Sequence, residues 1–279
     1  MHKINAVIVD TFESKLLSRQ AIYRVLKLSN VACVYTFSDS VIVEDSRVKH
    51  ISIPKISNME EYSHFMINRL PEFILNFEES HTLIFQWDGF PITPEAWKDV
   101  YLDYDYIGAP WFYSENDSGV VGNNGFSLVS KKLFKAIQTL QIKHDIDNHV
   151  PDDHIICINN RKILEETGIL FAPVEVALSF SRESRFNGRS FGFHGAFNLP
   201  LIFSESEILN FFHDLIIRIR NNESVFLLFL SSCMFKDYRK VIHKMMKNKE
   251  GDPFITKVLH SERFQNYCAE KGIDPSKFS

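Results

Sequence analysis

The residues whose types could do chemistry fall into four short runs. Asp88 follows the apolar stretch Thr82–Phe85 and precedes Gly89, where a backbone turns out of a sheet. A carboxylate there is a hard oxygen donor for Mg2+ or Mn2+, and such an ion clamps phosphate oxygens. The plain alternative is a turn aspartate bonding its own backbone. Asn123, Asn124 and Gly125 follow Gly122. Asn and Gly tolerate left-handed backbone, so this run predicts a tight turn, and its amides also suit a polyhydroxylated ligand. Asp152 and Asp153 follow Pro151 at a predicted helix start. They read as capping carboxylates favoured by the helix dipole, or as one cap and one general base acting on a hydroxyl. His194 stands between Phe193 and Gly195 in an aromatic-glycine loop. Its imidazole could complete a metal shell begun by Asp88 and phosphate oxygens, favouring Mn2+ over Mg2+. It could equally hydrogen-bond beneath the aromatic rings.

Around these runs lie Trp87, Trp97, Trp111, Phe112 and Tyr113, whose faces would stack on sugars and bases or fill an ordinary core. Arg182, Arg185 and Arg189 precede His194 and suit either a diphosphate or a solvated surface.

The elements that must position these residues alternate. Asn5–Asp10, Val31–Phe37, Val48–Ile53 and Thr82–Phe85 are short β-branched or apolar runs, read as strands, the first ending in the carboxylate of Asp10. Between them, Leu16–Leu28 has helical apolar spacing. Met59–Leu75 has it too, with Asn58 placed to cap and Glu61 in the capping-box position. Tyr106–Ala109 and Ile169–Pro173 are further predicted strands; Lys131–Leu140 and 151–167 are predicted helices. The alternation predicts an α/β fold, a mostly parallel sheet flanked by helices, with ligands outside the carboxyl ends of its strands. After Pro200 the chain is helical without further loop motifs. Residues 1–202 are therefore expected to form the catalytic domain and 203–279 a C-terminal helical extension.

Composition removes several classes. With 45% hydrophobic and 24% charged residues the chain is neither disordered nor fibrous. The net charge of -4, without a basic block, argues against a nucleic-acid partner. The four cysteines form no C-x-x-C pair, and the first apolar run is too short for a signal sequence, so a reducing, cytoplasmic setting is expected. Ser224–Phe235 is strongly apolar but too short to span a membrane. With the basic residues from Lys236 to Lys247 it offers peripheral contact at a membrane's inner face, against the plainer reading of buried packing.

The segments QWDGF (Gln86–Phe90), YDYIGAPW (Tyr104–Trp111), GNNGFSLVS (Gly122–Ser130), PDDHIIC (Pro151–Cys157), FAPVEVALSFS (Phe171–Ser181) and FGFHGAFN (Phe191–Asn198) occur in one order after AVIVDT and VYTFSD near the start. Over about residues 4–200 the chain resembles an uncharacterised bacterial family of predicted glycosyltransferases. That family is similar in motif order to metal-dependent A-type (GT-A) enzymes, including the β-1,4-galactosyltransferases. The resemblance implies a nucleotide-sugar donor, a glycan or glycolipid acceptor, and a role in surface-polysaccharide assembly. It implies that Asp88 and His194 ligate the metal, that Asp152 or Asp153 is the base of an inverting transfer, and that Gly122–Gly125 lines donor and acceptor. Asp10, Gln86, Trp87, Trp111, Asn123, Asn124 and Gly125 are the candidate donor- and acceptor-binding residues. Two departures stand out: the usual Asp-x-Asp is reduced to Gln86-Trp87-Asp88, and Asn124 replaces a glycine. The reduced acidic motif keeps a second reading open, a non-catalytic sugar- or nucleotide-binding module on the same fold.

Overall fold

The computed structural model describes residues 2–113, 119–145, 147, 149–184, 189–247, 256–258, 260–272 and 274. Arg185, one of the candidate diphosphate contacts, lies outside the described residues. The chain divides into two compact units, Met1–His194 and Gly195–Ser279.

In the first unit every residue of strand β1 (Ile4–Val9) is buried, which is why the run is apolar on both faces except at Asn5, whose amide donates to Glu79. Helix α1 (Leu16–Val25) follows, then β2 (Val31–Ser38) and β3 (Val48–Ser52). Helix α2 (Met59–His64) is capped by Asn58, whose side chain accepts from Glu61 N at 2.8 Å. Glu61 reaches back to Ser57 N rather than to the capping residue itself. The helix runs on through a π turn at Phe65–Arg69 into α3 (Leu70–Ile74).

Strands β4 (His81–Phe85), β5 (Gly89–Pro91), β6 (Tyr106–Gly108), β7 (Pro110–Trp111), β8 (Val120–Val121) and β9 (Phe126–Ser130) come next, then helix α4 (Lys131–Thr139). After these lie α5 (Asp152–His154), α6 (Arg161–Glu166), α7 (Val174–Phe180), β10 (Ser181–Arg182) and β11 (Gly192–His194). The main sheet has the order β3-β2-β1-β4-β9-β6, parallel from β3 to β4 and antiparallel at β9 and β6. It is the expected mixed α/β sheet, mostly parallel and flanked by helices.

Register then decides what meets what. Phe85 at the end of β4 pairs with Phe126 at the start of β9, because the two strands run in opposite directions. The residues leaving β4 and those entering β9 must therefore share the carboxyl edge of the parallel strands. A second sheet of order β10-β11-β5 pairs His194 with Gly89.

Two expectations change. Ile169–Pro173 forms only an isolated bridge, Phe171 to Tyr106, because Pro173 lacks an N–H and opens α7. His194 is not in a loop: Gly192–His194 is a strand, and the loop begins at Gly195 with φ +99°.

The second unit is helical among its described residues. It contains α8 (Leu199–Ile202), α9 (Glu205–Asn210), α10 (Phe212–Ile219), α11 (Glu223–Phe235), α12 (Arg239–Lys247) and α13 (Glu262–Lys271). Ser204 and Glu207 form a reciprocal capping box on α9. Phe212, Leu215, Phe226, Phe229, Ile242 and Met246 fill its core, each such side chain contributing roughly 1.5–3 kcal/mol by burial. Among the described residues no helix is long and apolar enough to cross a membrane.

Candidate active site

Asp88 sits in the turn between β4 and β5, closed by reciprocal backbone bonds between Gln86 and Gly89. The pairing of β5 with β11 carries His194 alongside it, and His194 Nε2 lies 3.8 Å from Asp88 Oδ1. The other ring nitrogen, Nδ1, is 2.9 Å from Glu183 Oε1. A carboxylate can only accept, so Nδ1 carries the proton and Nε2 faces Asp88. The Asn123 amide, 3.0 Å from the same Nδ1, also bonds Glu183.

Asn123 adopts the left-handed conformation, φ +60°, that its residue type tolerates, and its Oδ1 accepts from Gly125 N at 3.1 Å. Gly125 has a steric task. A Cβ there would stand 2.1 Å from His194 Nε2, so only glycine lets the imidazole lie against the loop. Asn124 points the other way. Its Nδ2 donates to Asp152 Oδ2 at 2.5 Å, its Oδ1 accepts from Ser127 at 2.6 Å, and its N–H faces Asp153 Oδ2 at 3.4 Å. One turn thus joins the Asp88–His194 pair to the Asp152–Asp153 pair.

Pro151 is the cap position of α5, with Asp152 and Asp153 in its first turn. Asp152 is 4% exposed and its N–H donates to Ser63 Oγ at 3.1 Å. Burial and the adjacent Asp153 push its carboxyl up to about 7. Asp153 is half-buried; its Oδ1 accepts from His154 N at 2.8 Å, and burial raises its carboxyl as well. Like α2, α5 runs into a π turn (Ile155–Asn159); such turns recur where a helix presents functional side chains.

The remaining candidates divide. Gln86 Nε2 donates to Tyr62 Oη at 2.8 Å. Trp87 is half-buried in the Asp88 turn. Trp111 packs on Gly122, where a Cβ would strike its ring, and lies 5.0 Å centroid to centroid from His154. Trp97 belongs to an aromatic cluster with Tyr101 and Phe191, while Tyr113 is exposed. Arg182 donates to Leu178 O, and Arg189 is exposed. Asp10 ends β1, one strand from β4; its carboxylate accepts from Phe12 N and from Ser18 Oγ, as a turn aspartate does.

Three residues of the site carried no expectation: Glu183, Tyr62 and Ser63. Glu183 lies between Arg182 and Ser184, and a carboxylate in such a polar run reads as surface. Tyr62 is held well above the usual phenol range by burial first and then by the charges of Asp152, Asp153 and Asp88, while the Gln86 amide that donates to its hydroxyl acts the other way.

Among the described residues no three His, Cys, Asp or Glu side chains enclose a metal by themselves. The donor set nonetheless fits a divalent ion that takes two protein donors and completes its shell with phosphate or water. Asp88 offers an oxygen, His194 an imidazole nitrogen, and Glu183 behind the histidine orients the ring as a carboxylate does behind many metal-bound imidazoles. A separate cavity of about 490 Å3, lined by His2, Ser80, His81, Asp99 and Asp103 among others, opens at the amino end of β4 and holds none of these groups.

His194 makes a sharp prediction for the metal-free protein. Burial alone would depress its imidazole, but Asp88 and Glu183 raise it to about 9 from 6.5. A group that binds its proton more tightly when folded contributes stability that is full below 6.5 and lost as pH climbs through about 9. The melting temperature of chelator-treated protein should therefore fall from about pH 7 to about pH 9, and His194→Gln should flatten that fall. A wild-type curve that is flat or rising over this range contradicts the arrangement.

A family model described as a protein of unknown function, DUF5672, matches residues 45–194. That span is more than half of the 279 residues. The chain belongs to the DUF5672 family. The DUF5672 span holds every candidate site residue except Asp10 and ends on His194. No curated protein matches the chain. Among solved structures it is similar to 4-diphosphocytidyl-2C-methyl-D-erythritol synthase from Anaerococcus prevotii, at 8% identity and TM-score 0.36, covering 61% of this chain and 86% of that one. It is also similar to the galactosyltransferase LgtC, solved in complex with donor and acceptor sugar analogs, at 12% identity and TM-score 0.43, covering 68% of this chain and 86% of that one. Both likenesses are too loose to carry an argument about this chain's reaction.

Proposed function

We propose that this DUF5672 chain is a metal-dependent glycosyltransferase of the GT-A type. It moves a sugar from a nucleotide-sugar donor to a hydroxyl of a glycan or glycolipid, with inversion. One observation carries the reading: a carboxylate and an imidazole face each other across 3.8 Å, braced from behind by Glu183, and one loop ties them to a carboxylate pair at a helix start.

Asp88 and the Nε2 of His194 would hold the ion, Mn2+ before Mg2+ given the nitrogen donor. When bound, it neutralises charge gathering on the departing nucleoside diphosphate. Asp153 then takes the proton of the acceptor hydroxyl whose oxygen attacks the anomeric carbon, while the bond to the diphosphate breaks on the opposite face. Asp153 suits this better than Asp152, being the more open of the two. Asp152, deep beneath Asn124 and Ser63, fixes the loop. Gln86 stands where a first carboxylate would, and its bond to Tyr62 holds a neutral amide there. The reading extends to a cytoplasmic enzyme of surface-polysaccharide assembly.

The neutral Gln86 favours one rival, a binder of nucleotide or sugar that performs no transfer. Incubation with UDP-, GDP- and CMP-linked sugars, with Mn2+ or with chelator, separates the two. An enzyme releases nucleotide from one donor only with metal. A binder raises the melting temperature with a donor yet releases nothing. Neither release nor a melting shift with any donor would defeat both.

A further inference from the structure

The second unit carries a surface that the transfer reaction does not use. Helix α11 is uncharged from Ser224 to Phe235, yet only one side of it is packed away: Phe226, Phe229, Leu230 and Cys233 are buried. On the other side Leu228 is 43% exposed and Phe235 81% exposed, one and the same stripe by their spacing of seven. Between them on that side stand only the small, half-buried Ser231 and Ser232, and large apolar side chains this open mark a contact surface.

The next helix supplies the charge. Val241, Ile242, Met245 and Met246 turn α12 inward, and its exposed positions are Arg239, Lys240, His243 and Lys244. Among the described residues α12 itself carries no acid. The nearby carboxylates are spent elsewhere: Glu205 accepts from the backbone N–H groups of Lys240 and Val241, and Asp237 pairs with Arg239 at 3.0 Å. Among the described residues no carboxylate lies within ion-pair distance of Lys236, Lys240 or Lys244. The exposed Lys236 directly follows Phe235, so a cation adjoins the open end of the apolar stripe.

We propose that this face docks the chain on an anionic lipid bilayer. The apolar stripe enters the headgroup boundary, and the lysines meet lipid phosphates from the flanking positions. Apolar residues with a cationic border, on helices too short to span, are the composition of an interfacial anchor. The 13 residues of α11 fall short of the roughly 20 needed to cross the hydrocarbon layer. An acidic protein would match the cations as well, but has no need of Phe235 and Leu228 in open water.

Flotation of the full chain with vesicles tests this. Phosphatidylcholine vesicles containing phosphatidylglycerol should carry the protein up, pure phosphatidylcholine should not, and added salt should weaken the binding. Phe235→Glu and the pair Lys240→Glu with Lys244→Glu should each weaken it about tenfold. The milder Phe235→Ser should weaken it in the same direction, with melting temperatures unchanged for all. No flotation with anionic vesicles overturns the proposal. So does flotation that these folded variants leave intact, or that salt does not touch. A wild-type dimer in solution that Phe235→Ser dissociates would instead assign the face to a second copy of the chain.

Discussion

Asp88→Ala should lower donor turnover at least about a hundredfold and remove the effect of Mn2+ on nucleotide binding. The expectation follows from how few donors the protein brings. Asp88 and His194 Nε2 are the two donors that face each other, Glu183 lying on the far ring nitrogen, and among the described residues no three His, Cys, Asp or Glu side chains form a metal-holding group. Removing one of two protein ligands leaves an imidazole alone to hold an ion that prefers oxygen. The fold should survive, because Asp88 ends a turn closed by the backbone of Gln86 and Gly89 and its side chain is 12% exposed. Circular dichroism and melting would establish that before kinetics are read. A variant that binds nucleotide with an unchanged metal response removes Asp88 from the metal site.

Asp153→Asn should cut turnover by about 10²–10⁴-fold while donor binding stays within a few-fold. The amide keeps the shape and the contact to His154 N but cannot take a proton. Asp152→Asn should act differently. Burial and Asp153 hold the Asp152 carboxyl up to about 7, so a neutral side chain relieves repulsion there. Its expected signature is a stability equal to or above wild type near neutral pH and a smaller kinetic loss. Turnover unchanged in both variants would remove the base from this pair altogether.

Much of the sheet was legible because residues 6–9 in β1 and 83–85 in β4 are unbroken apolar runs buried throughout, as a strand covered on both faces requires. The gathering of residues 88, 123–125, 152–153 and 194 was legible only as an order of motifs. Physically it depends on the Phe85–Phe126 and Gly89–His194 registers, which join positions far apart in the chain and leave no local periodicity. The same non-local pairing turned the expected loop at His194 into a strand. Tyr62 was silent for another reason. The π turn after α2 adds a residue to the helix and shifts which side faces the sheet, so a 3.6-residue pattern cannot say where Tyr62 points. Asn124 was expected at the acceptor; its side chain is committed to Asp152 and Ser127. Glu183 required its partner to be seen, since a lone carboxylate between polar residues carries no signal.

On the proposed reading, Asp88 and His194 form one metal–diphosphate site. Electron paramagnetic resonance of Mn2+ titrated into the full chain, with and without a nucleoside diphosphate, tests it most directly. The expected result is weak Mn2+ binding alone, tight binding of a single ion once the diphosphate is present, and coupling of that ion to a histidine nitrogen that His194→Gln abolishes. Tight Mn2+ binding that ignores the diphosphate, or a nitrogen coupling that survives His194→Gln, would contradict it.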